Sequence, residues 1–278
     1  MIVESEGLLR LAAFLTVFAA VALWELAYPR RTPALPRGKR WPHNLGLLLV
    51  DIVVLRIGAP GVVVAVALAG EERGWGFLNV FELPEWAALL IGVLLLDLAI
   101  YFQHVMFHAV PTLWRLHRVH HSDVDFDLTT GVRFHPVEIL ISTTIKCAVV
   151  VAIGASPFAV LIFEVLLNAT SIFNHANASL PSRFEKILRL VVVTPDMHRV
   201  HHSVSYDESS SNFGFSTPWW DRLFGTYRAK PRLGHDAMML GVDAFRSAED
   251  LRLHRLLIQP FLDTPGQYPI NRRRPAEL

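Results

Sequence analysis

The chain has 278 residues, 52% of them hydrophobic, with a mean hydropathy of +0.36 and a formal net charge of +1. A water-soluble domain of this size needs less apolar character, yet the 18% of charged residues require an aqueous part, so a protein that is half in membrane and half in water fits best. Near-neutral charge without a long basic run excludes nucleic acid as the principal partner, and the single cysteine, Cys147, excludes both an intrachain disulfide and a multi-thiolate metal site.

Residues 8–28 form the first apolar stretch, long enough to cross a bilayer. Glu4 and Glu6 stand where a signal peptide carries basic residues, so the stretch reads as a retained membrane helix. Residues 45–69 form a second stretch, interrupted by Asp51, Arg56 and the Ala59-Pro60-Gly61 kink; the Asp51 and Arg56 charges read as a helix-packing pair, a shortened span or a polar pair on a substrate path. Residues 86–108 form the third. Residues 137–173 are apolar again but broken by Gly154-Ala155-Ser156-Pro157, turn chemistry that predicts a helical hairpin. Lys146 in its first limb must face protein or reach toward the interface. Arg30, Arg31, Arg37, Lys39 and Arg40 follow the first stretch, whereas residues 71–85 hold four acids and Arg73, so the positive-inside rule puts the first loop in the cytoplasm and the acidic loop outside. Beyond Pro181 the chain is mixed and polar. Trp219, Trp220 and Phe224 read as interfacial anchors there, with lining of an acyl channel the alternative, and Arg272 to Arg274 as a solvated or headgroup-facing tail.

Eight histidines fall in three clusters at the edges of these stretches: His104 and His108; His117, His120 and His121; His198, His201 and His202. Side chains three and four positions apart share one helix face, so each cluster can aim its imidazoles at one point. Eight imidazoles are too many for one ion, and two metal ions are the economical explanation. Iron, zinc, copper and manganese all accept such ligands, and a pair of irons activating dioxygen beside a lipid uses every feature together. Asp97 and Tyr101 lie on the turns preceding His104, where a carboxylate or phenol can orient a ligand imidazole; Asp123, Asp127 and Asp221 are similar supports. His43, His235 and His254 read as ordinary packed or surface residues. No G-x-G-x-x-G or C-x-x-C-H motif occurs, so electrons are expected from another protein.

The order of the three clusters, with Phe134-His135-Pro136-x-Glu138, Asn212-Phe213-Gly214 and the run from Trp220 to Thr226, resembles the fatty acid hydroxylase and sterol desaturase superfamily over residues 97–227. The resemblance implies a membrane di-iron oxygenase that takes electrons from an external donor and dioxygen as co-substrate. Its substrate would be a lipid, whether sterol, fatty acyl chain, carotenoid or alkylglycerol, and the outcome hydroxylation or desaturation. It also implies that the eight clustered histidines are metal ligands, that His175 is a further ligand after the last membrane helix, and that His135 of the His-Pro motif is one as well. Ser171, one turn before His175, stands where some members have histidine or asparagine, and Val105 stands where arginine is frequent.

The expected architecture is an all-α integral membrane protein with about four transmembrane helices, the last a hairpin, and a cytoplasmic histidine-rich helical cap. As a single membrane-embedded domain over 1–278, it would place helices one to three in 8–110, a histidine segment in 111–136, the hairpin in 137–176, and cap and tail in 177–278. Two other functions are open to a histidine-rich membrane chain. A membrane metal-binding or transport protein would spread ionisable ligands through the bilayer, whereas these gather at one face. A di-zinc hydrolase usually has bridging carboxylates, and no histidine cluster contains an internal Asp or Glu.

Overall fold

A long helix of mostly apolar residues is poorly suited to water, and among the described residues five such helices organise this molecule. The computed structural model describes residues 2–58 and 60–262. The Arg272 to Arg274 tail lies outside the described residues. In chain order the long helices are α1 (Ile2–Ala27), α2 (Trp41–Gly58), α3 (Val62–Glu72), α4 (Glu85–Ala109), α5 (Pro111–His121), α6 (Pro136–Ile153) and α7 (Pro157–Asn174). Short helices follow: α8 (Ser182–Leu188), α9 (Pro195–His201), α10 (Tyr206–Ser209), α11 (Trp219–Leu223), α12 (Gly234–Ala237) and α13 (Leu253–Ile258). Among the described residues there is no strand, only isolated bridges at Pro29–Ala178 and Ser203–Leu240.

By length and composition, α1 from Gly7, α2, α4, α6 and α7 qualify as membrane spans. About four spans were expected, the last a hairpin; five helices qualify among the described residues, because each limb of the hairpin is long and apolar enough by itself. Each hairpin limb has 18 residues, about 27 Å at helical rise, close to a ~30 Å hydrocarbon core. The second apolar stretch is not one kinked span. It divides at Pro60-Gly61, where Gly61 caps α3 in the left-handed region at φ 61°, and α3 packs separately against α6 and α7.

Proline and its neighbours punctuate the chain. Pro111, Pro136 and Pro157 open α5, α6 and α7, where the missing N–H costs nothing. The Ser156 hydroxyl accepts from the Ala159 N–H as an N-cap, and Gly154 ends α6 at φ 71°, so the Gly-Ala-Ser-Pro run is the hairpin tip. Gly76 crosses that tip so closely that a Cβ on it would lie 2.1 Å from the Gly154 nitrogen. Lys146 is paired inside the bundle: its Nζ donates to Glu164 Oε1 at 2.6 Å, and Arg10 pairs with the same carboxylate. Helix α7 is central, packed against α1, α3, α4 and α9. The far end of the bundle carries the hairpin tip, and the near end, where α4 and α7 finish and α6 begins, carries the histidines.

Candidate metal centre

Helix α4 brings His104 and His108 to the near end, and the chain then reverses at Val110 so that α5 lies alongside with His117, His120 and His121. Helix α9 supplies His198 and His201, with His202 at its C-terminal cap, and His175 caps α7. All nine side chains are buried. They gather as two groups, His104, His108, His117, His121 and His201 in one and His120, His175, His198 and His202 in the other; within each, the ring nitrogens lie within 4.8 Å of one another. Sequence clusters and spatial groups therefore differ. Adjacent residues such as His120 and His121 point to different groups, because neighbours on a helix are about 100° apart.

The ring nitrogens show what the groups are built to hold. His104 Nδ1 donates to the Phe213 carbonyl at 2.8 Å, and His201 Nδ1 donates to the Ser211 carbonyl at 2.7 Å. Each neutral ring then presents a lone pair at Nε2, and these two Nε2 atoms are 3.0 Å apart. Two facing lone pairs repel unless a cation sits between them. The same geometry recurs between His104 and His117 at 3.1 Å, between His108 and His121 at 3.1 Å, and from His175 to His120 at 3.1 Å and to His202 at 3.2 Å. Nitrogens about 2.1 Å from one ion and at right angles to each other lie about 3.0 Å apart, so the donor set fits a transition metal in each group. Both ring nitrogens of buried His198 lack a hydrogen-bond partner among the described residues, and a metal would satisfy one of them.

Other residues hold these rings. His117 Nδ1 donates to Glu138 Oε1 at 2.6 Å, and His175 Nδ1 donates to the Ser171 carbonyl at 2.8 Å. Ser171 supports His175 through its backbone, while its hydroxyl donates to the Gly131 carbonyl at 2.7 Å. Phe134 stacks on His120 at 4.5 Å between ring centres, Phe126 lies 5.2 Å from His175, and Phe213 and Phe215 pack against His104. This collar keeps bulk water from the rings.

Several expected roles shift in the folded chain. His135 joins neither group: its Nε2–H donates to the Leu257 carbonyl at 3.1 Å, and its Nδ1 accepts from the Val137 N–H at 3.2 Å as the N-cap of α6. Both nitrogens are thereby committed. Asp97 and Tyr101 touch no histidine nitrogen. The Asp97 carboxylate accepts from Trp220 Nε1 at 2.8 Å, and the Tyr101 hydroxyl bonds Thr226 Oγ1 at 2.9 Å, so both tie α4 to the 212–226 segment. Asp221 accepts from the Phe213 and Gly214 N–H groups at 2.8 and 2.9 Å and so fixes the peptide whose carbonyl holds His104. Burial pushes its carboxyl up to about 6, against these hydrogen bonds.

Asp123 and Asp127 support the loop after α5. Arg40 grips Asp123 with Nε to Oδ1 and Nη2 to Oδ2, both 2.7 Å, and reaches Asp127 with Nη1 at 2.7 Å. Arg133 donates to the Val119 carbonyl at 2.8 Å and to Ser122 Oγ at 2.7 Å. Burial alone would raise the Asp123 carboxyl, but Arg40 and Arg133 hold it well below the usual carboxylate range. Glu138 and Arg133 are supports beyond those expected from the sequence. The signal for Glu138 was the carboxylate two residues beyond the His-Pro pair, and nothing local marked Arg133.

The fatty acid hydroxylase family model matches residues 89–226, the segment that holds all nine histidines. The chain belongs to the fatty acid hydroxylase superfamily. Among similar proteins of this superfamily, the ornithine lipid hydroxylase of Rhizobium tropici is 25% identical over 232 residues, covering 79% of this chain and 67% of that protein. Human alkylglycerol monooxygenase is 28% identical over 166 residues, 56% of this chain and 34% of its own length. Rat cholesterol 25-hydroxylase is 31% identical over 157 residues, 54% and 51%. The chain thus spans about two thirds of the first relative and between a third and about half of the other two. No solved structure matches the chain. Hydroxylases and monooxygenases are oxidoreductases, and the apolar helices make this superfamily member an integral membrane protein.

Proposed function

We propose that the chain is a membrane oxidoreductase that holds two iron ions and uses dioxygen to hydroxylate or desaturate a C–H bond of a lipid. The observation that carries this reading is the pairing of His104 and His201. Both rings are oriented by backbone carbonyls so that their Nε2 atoms face each other 3.0 Å apart, an arrangement with a purpose only around a cation. The proposed ligands are His104, His108, His117, His121 and His201 for one ion and His120, His175, His198 and His202 for the other. His135 is left as a helix cap.

Bound iron would supply what no side chain here offers, an oxidant able, with dioxygen and electrons from an external protein, to attack an unactivated C–H bond. The chain's own contribution is to hold and exclude. Glu138, Ser171, Ser211 and Phe213 each fix one imidazole, and the phenylalanine collar keeps the site apolar. The site lies where candidate spans α4 and α7 end, so an acyl chain or sterol in the bilayer is the reactant within reach. The names of the relatives support a lipid: one is a hydroxylase of ornithine lipid, one a monooxygenase of alkylglycerol, one a hydroxylase of cholesterol.

The near end is proposed to face the cytoplasm, from the basic residues after α1 against the acidic 71–85 loop. Arg40 is buried against Asp123 and drops out of that count, and Arg30, Arg31, Arg37 and Lys39 remain. Within 1–278, the proposed layout keeps helices in 8–110, the histidine segment in 111–136, the hairpin in 137–176 and the cap and tail in 177–278.

The test is lipidomics of cells with and without the gene, supplied with isotopically labelled dioxygen, together with metal analysis after anaerobic purification. Label entering one lipid class and two irons per chain are expected. Bound iron with no lipid changed would count against the oxygenase reading, and two zincs without iron would favour the hydrolase.

A further inference from the structure

One apolar surface near the histidine end belongs to no candidate span. Phe184 and Ile187 on α8, with Leu190 and Val191 just after it, are each more than half exposed, at 54%, 67%, 56% and 54%. Beside them on and after α11, Trp219, Leu223 and Phe224 are exposed as well. Two distant segments are joined into one face: Trp219 Nε1 donates to the Leu190 carbonyl at 2.7 Å, and Arg222 Nη2 to the Arg189 carbonyl at 3.3 Å. A contiguous apolar patch of this kind marks an interaction site.

Continuity and charge identify the occupant. Phe224 packs on Phe102 at 5.1 Å and stacks on Tyr101 at 5.4 Å, and Phe102 is itself half exposed on the candidate span α4. The lipid-facing surface of the bundle therefore runs unbroken onto α11. Within 181–191 and 219–225 the exposed charges are all basic: Arg183, Lys186 and Arg222. The two acids there are buried, Glu185 against Arg189 and Thr194, Asp221 on the 213–214 backbone. An apolar face with a basic rim is the chemistry of a segment lying in an anionic headgroup layer.

We propose that the face formed by α8, Leu190, Val191 and α11 is a second membrane contact, seated among anionic lipid headgroups on the histidine side of the bilayer. It holds whatever chemistry the centre performs. Trp220 turns the other way, its Nε1 on Asp97 of α4, so α11 is pinned to the bundle on one side and presents Trp219 and Leu223 to lipid on the other. Seating this face sets the depth of the histidine centre relative to the acyl chains.

The experiment uses the full chain with Cys147→Ser and one new cysteine at a time, Ile187→Cys or Leu223→Cys, carrying an environment-sensitive dye. Each is reconstituted in phosphatidylcholine–phosphatidylglycerol vesicles containing a lipid spin-labelled near its headgroup. Leu90→Cys on the exposed side of α4 is the lipid reference, and Ala248→Cys on a polar loop is the aqueous one. Dyes at 187 and 223 are expected to be blue-shifted and quenched at least half as strongly as at 90, with 248 unaffected. Removing phosphatidylglycerol should weaken quenching at 187 and 223 but not at 90. Emission like that at 248 would overturn the proposal, as would a blue shift without quenching, which means that a second copy or another protein covers the face. Quenching indifferent to phosphatidylglycerol would overturn the anionic-headgroup assignment. Two label positions on different segments guard against a local folding defect at either.

Discussion

Glu138 stands 2.6 Å from His117 Nδ1, and a carboxylate there both fixes the tautomer and makes Nε2 a better donor. Glu138→Gln keeps the shape and removes the charge, so metal affinity should fall about 10–100-fold in a chelator competition. Unchanged affinity would mean that the pair is not a metal support. His175 and His135 make a sharper contrast. His175→Ala removes a ring whose Nε2 faces two others, and metal content should drop from two ions per chain to one. His135→Ala removes a ring with both nitrogens already committed, and metal content should stay at two. Loss of an ion from the His135 variant alone would reverse that assignment. At this scale the sequence displayed the imidazoles but not their free lone pairs, because a lone pair is free only by virtue of what the other nitrogen touches.

Between elements, close approach and buried charge decide the outcome. The 130–132 turn presses on α7 so tightly that a Cβ at Gly131 would lie 2.5 Å from the Ser171 carbonyl oxygen and 3.1 Å from His175 Nδ1. Gly131→Ala should cost about 1–3 kcal/mol by overpacking, lowering the thermal midpoint and releasing the metal of the His120, His175, His198 and His202 group first. Simultaneous loss of both metals would show that the damage is not local. Arg40 lies between Asp123 and Asp127 with no exposure. Arg40→Ala would strand two buried carboxylates and should cost about 3–5 kcal/mol by denaturant or thermal unfolding. A loss near zero would mean that water reaches those carboxylates. The hairpin was legible before folding because Gly, Ser and Pro carry their meaning locally. The Arg40 grip was not, since its partners lie 83 and 87 positions away.

For the whole molecule, burial of the histidines links stability to pH. Burial pushes His117 and His175 down to about 3, and burial together with neighbouring rings lowers His120, His121, His198, His201 and His202. An unfolded chain takes up these protons near 6.5, while the folded chain resists until far lower pH. Their stabilisation is complete above 6.5 and is lost as pH falls toward 3. Outside the candidate spans Asp221, raised to about 6, works in the opposite sense between about 6 and 3.8, as a single carboxyl against these seven imidazoles. The thermal midpoint of metal-free protein in detergent should therefore fall steadily from pH 7 to pH 5. A flat midpoint over that range would show that the imidazoles are hydrated in the folded chain.

Sequence alone determined the helical class, the apolar stretches, the hairpin at Gly154 to Pro157 and the presence of three histidine clusters spaced to share helix faces. Each of these is written in spacing and composition over a few neighbouring residues. Tertiary structure decided how the histidines divide, five against four, and that His135 is a cap. It also made Asp97, Tyr101 and Asp221 hold backbone and loops instead of rings, and left one apolar face on α8 and α11 uncovered. These outcomes depend on which groups meet once the chain has folded, some of them far apart in sequence, as Asp97 meets Trp220, and local pattern carries no record of such meetings.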